Sequence, residues 1–144
     1  MSAKSLLPEI KAAPPHGHWV RFLPEEEPVL VQNEHWIGFD LDGTLSRTDN
    51  PGHFEPPYPI GEPISEMLCV VQALKEAGVQ VKIFTARACD PANVPIVKEW
   101  ARKSGLGDLP VTHQKDYDLL RFYDDRAIQV RWPGMMIRPP HKPS

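Results

Sequence analysis

The chain has 144 residues, 41% of them hydrophobic and 24% charged, a composition that supports one packed core and excludes a globally disordered chain. Sixteen basic against nineteen acidic residues leave a formal charge of −3, so no overall basic field exists to hold a long polyanion, although a local positive patch stays open. Two cysteines, Cys69 and Cys89, are too few for a disulfide scaffold, no segment approaches a membrane span, and Met1 to Trp19 holds no apolar stretch of signal-peptide length; the expected setting is the reducing cytoplasm, with no membrane partner.

Residues 1–30 carry Pro8, Pro14, Pro15, Pro24 and Pro28 and the acidic run Glu25, Glu26 and Glu27. The prolines exclude regular helix, and the segment reads as an N-terminal extension: an arm that wraps its own domain, meets a second copy to form a homo-oligomer, or binds a larger assembly. Trp36 to Phe39 is a buried-type strand running into a tight turn at Asp42-Gly43. Residues 46–61, SRTDNPGHFEPPYPIG, are turn-rich and read as a short flap with Phe54 and Tyr58 as its apolar contacts.

From Glu62 the pattern changes. Ile64, Met67, Leu68, Val71 and Leu74 recur at steps of three and four, which predicts an amphipathic helix stopped by Gly78. Val79 to Thr85 follows as a strand. A second helix opens at Pro91-Ala92-Asn93, places Val97, Trp100 and Ala101 on one face, and ends near Gly105. Leu109 to His113 and Leu119 to Asp125 read as further strands, with AIQV at 127–130 as a short fifth. Residues 132–144 form a C-terminal extension in which Trp132, Met135, Met136 and Ile137 are the groups able to pack back.

This alternation predicts an α/β domain over 31–131: a Rossmann-like three-layer sandwich with a central parallel sheet and helices on both faces. The carboxyl ends of its strands carry Asp40, Thr85 and Asp125, and open parallel sheets place ligand sites there. Asp40 and Asp42, two apart at a strand end, join a third carboxylate from another strand in a hard oxygen site suited to Mg2+. Phosphoryl transfer asks for little more than a nucleophile in line with phosphorus, a cation, and donors around the equatorial oxygens.

FDLDGTL, Phe39 to Leu45, resembles the first motif of the haloacid dehalogenase-like (HAD) superfamily of phosphatases. TAR, Thr85 to Arg87, resembles the second motif, Lys115 stands where a third-motif lysine is expected, and YDD, Tyr123 to Asp125, is similar to the acidic fourth. The likeness covers roughly residues 35–131, and neither gap between strands is long enough for the cap domain of larger relatives. The resemblance implies that Asp40 is the nucleophile and carries an aspartyl-phosphate, while Asp42 protonates the leaving group and then activates water. It implies Mg2+ on the Asp40 carboxylate, the Asp42 backbone carbonyl and Asp125, with Asp124 behind them orienting Lys115 or a metal-bound water. Thr85 would offer its hydroxyl, Ala86 a neighbouring amide, and Gly43 and Thr44 the amides of the turn, with Lys115 offsetting shared negative charge.

Each of these residues also has a plainer reading. Asp-Gly is an ordinary turn, Asp125 a helix cap, Thr85 a strand-end threonine and Lys115 a surface lysine, separated from Asp125 by a shorter link than in larger relatives. Arg87 and Arg126 have guanidinium forks that match phosphate oxygens, against simple pairing with an acidic neighbour. His53, in the flap, is the one histidine able to reach a substrate; scattered surface histidine is the simpler reading. The four tryptophans read as packing anchors. The expected substrate is a phosphorylated small molecule, a nucleotide among the candidates, and an open capless site also suits a nucleic-acid end or a phosphoprotein. Two alternatives share the pattern: a noncatalytic metal- or phosphate-binding regulatory domain, and a phosphotransferase on the same fold.

Overall fold

The computed structural model describes residues 7–131 and 135–137. Its strands and helices run in chain order as β1 (Glu9–Ala13), β2 (Gly17–Arg21), β3 (Val29–Gln32), β4 (Trp36–Asp40), α1 (Ser65–Ala77), β5 (Gln80–Phe84), α2 (Val94–Lys103), β6 (Val111–Thr112), β7 (Leu119–Tyr123), β8 (Gln129–Arg131) and β9 (Met135–Ile137). Strands β4 to β7 form a parallel sheet in the order β6-β5-β4-β7, flanked by α-helices as a three-layer α/β sandwich of Rossmann-like form. Among the described residues no helix is long and apolar enough to cross a membrane.

The three layers are unequal. The steps from β4 to β5 and from β5 to β6 go in the same direction, and right-handed crossovers then bring both helices to one side of the sheet. That side carries Ile37, Phe39, Val81 and Ile83 by strand alternation, and these share one core with Val70, Val71 and Leu74 of α1 and Val97 and Ala101 of α2. Each fully buried aliphatic side chain of this kind contributes about 1.5–3 kcal/mol. The expectation of a helix on each face is therefore corrected by strand order, which the alternation of elements alone does not reveal.

The opposite face carries Trp36, Phe84 and Phe122. It is roofed by residues 113–118, the link from β6 at one edge to β7 at the other. Asp116 accepts a 2.8 Å bond from the Trp36 indole, the Asp118 carbonyl accepts from Trp36 N at 2.8 Å, and the Lys115 ammonium lies 5.9 Å from the Phe122 ring centre. Gly38 makes this possible: a Cβ there would lie 3.1–3.2 Å from Trp36, Leu119 and Phe122, which instead close over the bare backbone.

The N-terminal segment folds as an antiparallel sheet, β1-β2-β3, that packs on its own domain. Val20, Phe22 and Val31 belong to the common core, and Phe22 meets Tyr123 edge-on at 6.3 Å. This sheet fills the layer beside α1, next to β7. Its prolines sit in connections or outside the strands, so they terminate strands without breaking them.

Smaller differences have local causes. Helix α1 starts at Ser65, because Arg47 N bonds the Glu62 carbonyl and Ile64 N bonds the Leu45 carbonyl, which ties 62–64 to the preceding turn. Gly78 ends the helix in the left-handed conformation, φ +95°. Pro91–Asn93 forms a 3-10 turn in which the Asp90 side chain accepts from Ala92 N, and α2 proper begins at Val94. The expected fifth strand is displaced to β8 and pairs with β9 as an antiparallel hairpin outside the parallel sheet. The expectation that Trp132 packs back lies outside the described residues.

Candidate active site

Strand register assembles the acids. Phe39 of β4 pairs with Tyr123 of β7, which sets Asp40 level with Asp124 where both strands end. Phe39 and Tyr123 stack at 4.4 Å with planes 4° apart, so the two residues that precede the acids are locked together. Asp40, Asp124 and Asp125 can each offer a carboxylate oxygen within 4.8 Å of the others. Asp124, expected behind the ion, also offers an oxygen to this group, and its Oδ1 accepts from Arg126 N at 3.1 Å.

The turn after β4 shapes this cluster. The Leu41 carbonyl accepts from Leu45 N and Ser46 N at 3.0 Å and from Ser46 Oγ at 3.1 Å, while Gly43 N donates to the Ser46 carbonyl at 2.8 Å. The Gly43 and Thr44 amides, expected to face a ligand, are thus spent inside the turn. Gly43 has φ +96°, and a Cβ on it would run into the Asp125 carboxylate, so glycine serves both the turn and the approach of Asp125. Thr44 is the group of the turn that faces the acids. Its hydroxyl accepts from Asp125 N at 3.0 Å and lies 3.4 Å from Asp40 Oδ2 and 3.5 Å from Asp125 Oδ1; with one proton, it serves one carboxylate at a time.

Electrostatically the cluster is overloaded. Burial first, then the charges of Asp124 and Asp125, push the Asp40 carboxyl from 3.8 up to about 7. Three converging carboxylates with no imidazole or thiolate among them fit a hard, oxygen-preferring divalent cation, and Mg2+ is such an ion.

Asp42 stands apart from the three. Arg87 grips it with a two-pronged ion pair, Nε to Oδ2 at 2.8 Å and Nη2 to Oδ1 at 2.9 Å. Arg87 is placed for this by the 3-10 turn after β5, where its amide donates to Thr85 Oγ1 at 3.2 Å and its carbonyl accepts from Asn93 Nδ2 at 3.0 Å. Thr85 is only 2% exposed, and because its oxygen accepts from Arg87, the hydroxyl proton remains able to donate. Ala86 opens the same turn at the surface.

Two predicted residues are not drawn into the cluster. Lys115 lies over Phe122 and makes no ion pair with Asp40, Asp124 or Asp125 among the described residues. Arg126 is exposed and reaches the site through its backbone amide. One residue is more involved than its sequence context indicated: His53 is 7% exposed, with Nε2 3.9 Å from Asp42 Oδ1. Its position in the flap was the signal, and only the folding back of that flap reveals the burial. No family model matches the chain, and neither a curated protein nor a solved structure matches it.

Proposed function

We propose that the chain is a Mg2+-dependent phosphatase of the haloacid dehalogenase-like type, which hydrolyses a small phosphate monoester, nucleotides included, through a phosphoryl group carried on Asp40. The observation that carries this reading is the convergence of Asp40, Asp124 and Asp125 at the strand ends, with a fourth acid, Asp42, held beside them and outside their group by Arg87. Metal binding alone has no use for that fourth acid. A two-step hydrolysis does.

Asp40, Asp125 and the Asp42 carbonyl would hold the ion, with Asp124 in reach; when bound, Mg2+ supplies the positive charge that keeps Asp40 ionised and offsets the phosphoryl oxygens. In the first step an Asp40 carboxylate oxygen attacks phosphorus, the bond to the leaving oxygen breaks, and Asp42 gives that oxygen a proton. In the second, Asp42 takes a proton from water, which attacks phosphorus, releases inorganic phosphate and restores Asp40. Thr85 donates its hydroxyl to a phosphoryl oxygen, with the Ala86 amide and the Arg87 fork alongside. Lys115, on a flexible four-carbon stem, is the mobile cation of the reading.

The test is phosphate release from an aryl phosphate and a nucleotide panel, with Mg2+ or EDTA, for the wild type and Asp40→Asn. Metal-dependent turnover that the substitution abolishes is the expected result. Turnover that persists in EDTA, or in the variant, overturns the reading.

A further inference from the structure

Two successive carbonyls of the flap are held by side chains that lie against Asp42, Arg87 in an ion pair and His53 with Nε2 at 3.9 Å. Arg87 uses Nε and Nη2 on the Asp42 carboxylate, and its Nη1 donates to the Tyr58 carbonyl at 2.5 Å. One residue on, the Pro59 carbonyl bonds His53 Nδ1 at 3.1 Å and accepts from Asn50 Nδ2 at 3.3 Å. A carbonyl can only accept, so Nδ1 carries the imidazole proton and Nε2 is the nitrogen turned toward Asp42. Tyr58 itself sits at φ +54°, a left-handed conformation that a bulky residue rarely adopts unless its surroundings hold it there.

The base of the flap is closed by other means. Arg47 N bonds the Glu62 carbonyl at 2.8 Å, Ser46 bridges to Pro63, and Gly61 packs so close to the Arg47 carbonyl that no side chain would fit. Only the arch from about residue 50 to 60 depends on Arg87 and His53. Its rings, Phe54 at 80% and Tyr58 at 51% exposure, are otherwise open to solvent.

We propose that Arg87 is a latch tying the flap to Asp42, with His53 bracing the arch from within, and that the phosphoryl group of a substrate opens the latch by taking the Arg87 fork. This rests on the phosphatase reading. The two oxygens of a carboxylate and two oxygens of a phosphoryl group present the same bidentate target to a guanidinium, so they compete for one edge of Arg87. While Asp42 holds that edge, its carboxylate is ion-paired and the arch is fixed through Tyr58. Once the phosphoryl group draws the guanidinium off Asp42, Nη1 leaves the Tyr58 carbonyl with it, Asp42 is freed toward the leaving oxygen, and the arch keeps only the bonds of His53 and Asn50 to the Pro59 carbonyl. Arg87 thus touches substrate, whereas His53 is a positioning residue that acts through the flap.

The experiment is amide hydrogen exchange on the whole chain, with and without Mg2+ and beryllium fluoride as the phosphoryl mimic, with bound fluoride followed by fluorine NMR. In the wild type the mimic is expected to speed exchange at His53, Glu55 and Tyr58, whose amides bond within the arch, by about tenfold, the effect of losing one charge-assisted hydrogen bond, while Val70 to Leu74 stay unchanged. Arg87→Lys, whose single ammonium cannot span Asp42 and the Tyr58 carbonyl, should show the faster arch without the mimic and gain nothing from it. His53→Ala should loosen the arch by a smaller factor. Bound fluoride with unchanged or slower arch exchange overturns the latch and leaves the phosphatase reading standing. Absence of bound fluoride overturns that reading, and opening by a phosphoryl group with it. Wild-type exchange rates in Arg87→Lys refute the tie between Arg87 and the flap whatever the mimic does.

Discussion

Replacing Asp40 by Asn should make the metal-free protein more stable, and increasingly so as the pH rises toward neutrality. Asp40 sits against Asp124 and Asp125, and burial and those charges raise its carboxyl from 3.8 to about 7. A carboxyl whose folded pKa lies above its unfolded one binds its proton more tightly in the native state. The stability it contributes is complete below 3.8 and is lost as the pH climbs through about 7. At about 1.4 kcal/mol per pH unit that interval sets an upper bound of about 4 kcal/mol. The site keeps contact with water, and screening brings the expected gain from an uncharged isostere down to about 1–2 kcal/mol. For a domain of this size that is a rise in Tm of about 3–8 °C. The assay is thermal and urea unfolding of both proteins in EDTA at pH 5 and pH 7.5. The difference at pH 5 should be about a third of its full value and should approach that value by pH 7.5, and Mg2+ should raise the wild type more than the variant. A wild type as stable as Asp40→Asn at pH 7.5, or a difference that does not grow with pH, would refute the crowding of charge at Asp40.

Three further substitutions probe the frame of the site. Thr44→Val removes the hydroxyl that accepts from Asp125 N, and it should cost about 1–2 kcal/mol in urea unfolding and weaken Mg2+ binding by about tenfold in calorimetry. Gly43→Ala puts a methyl group into the Asp125 carboxylate at a positive φ; Mg2+ affinity should fall by at least about tenfold, while the circular dichroism spectrum stays that of the wild type. Phe22→Ala should cost about 3–4 kcal/mol, because the ring is buried against Tyr123; an unchanged Tm would show that the N-terminal sheet is dispensable to the core.

The parallel sheet was legible because its strands are short apolar runs separated by helical periodicity, and Ile64, Met67, Leu68, Val71 and Leu74 state that period plainly. Asp40 and Asp125 were legible as residues at strand ends, where open sheets gather ligand sites, whereas Asp124 was expected behind the ion and enters the cluster through the register of β4 and β7. The N-terminal sheet was not. Its strands are four or five residues long, and the prolines around them mask the fact that each strand interior is free of proline. Strand order was hidden as well, since alternation does not say on which side of β4 the chain returns, and with it went the placement of both helices on one side. Lys115 shows the same limit: its distance along the chain from Asp125 gave no indication that it lies over Phe122 on the face roofed by 113–118. His53 and Arg87 were visible as residue types near the motif, but the grip of Arg87 on Asp42 depends on the pairing of β4 with β5, and the burial of His53 on how the flap folds back, both nonlocal properties.

The most direct test of an Asp40 nucleophile is chemical capture of the phosphorylated side chain. The full chain is mixed with Mg2+ and the best substrate of the panel, quenched within a turnover, reduced with borohydride and digested for mass spectrometry. An acyl phosphate on Asp40 is reduced to the alcohol, so the predicted result is homoserine at position 40, dependent on substrate and absent in Asp40→Asn. Metal-dependent phosphate release with position 40 unreduced, or with the reduced residue elsewhere in the chain, would contradict it.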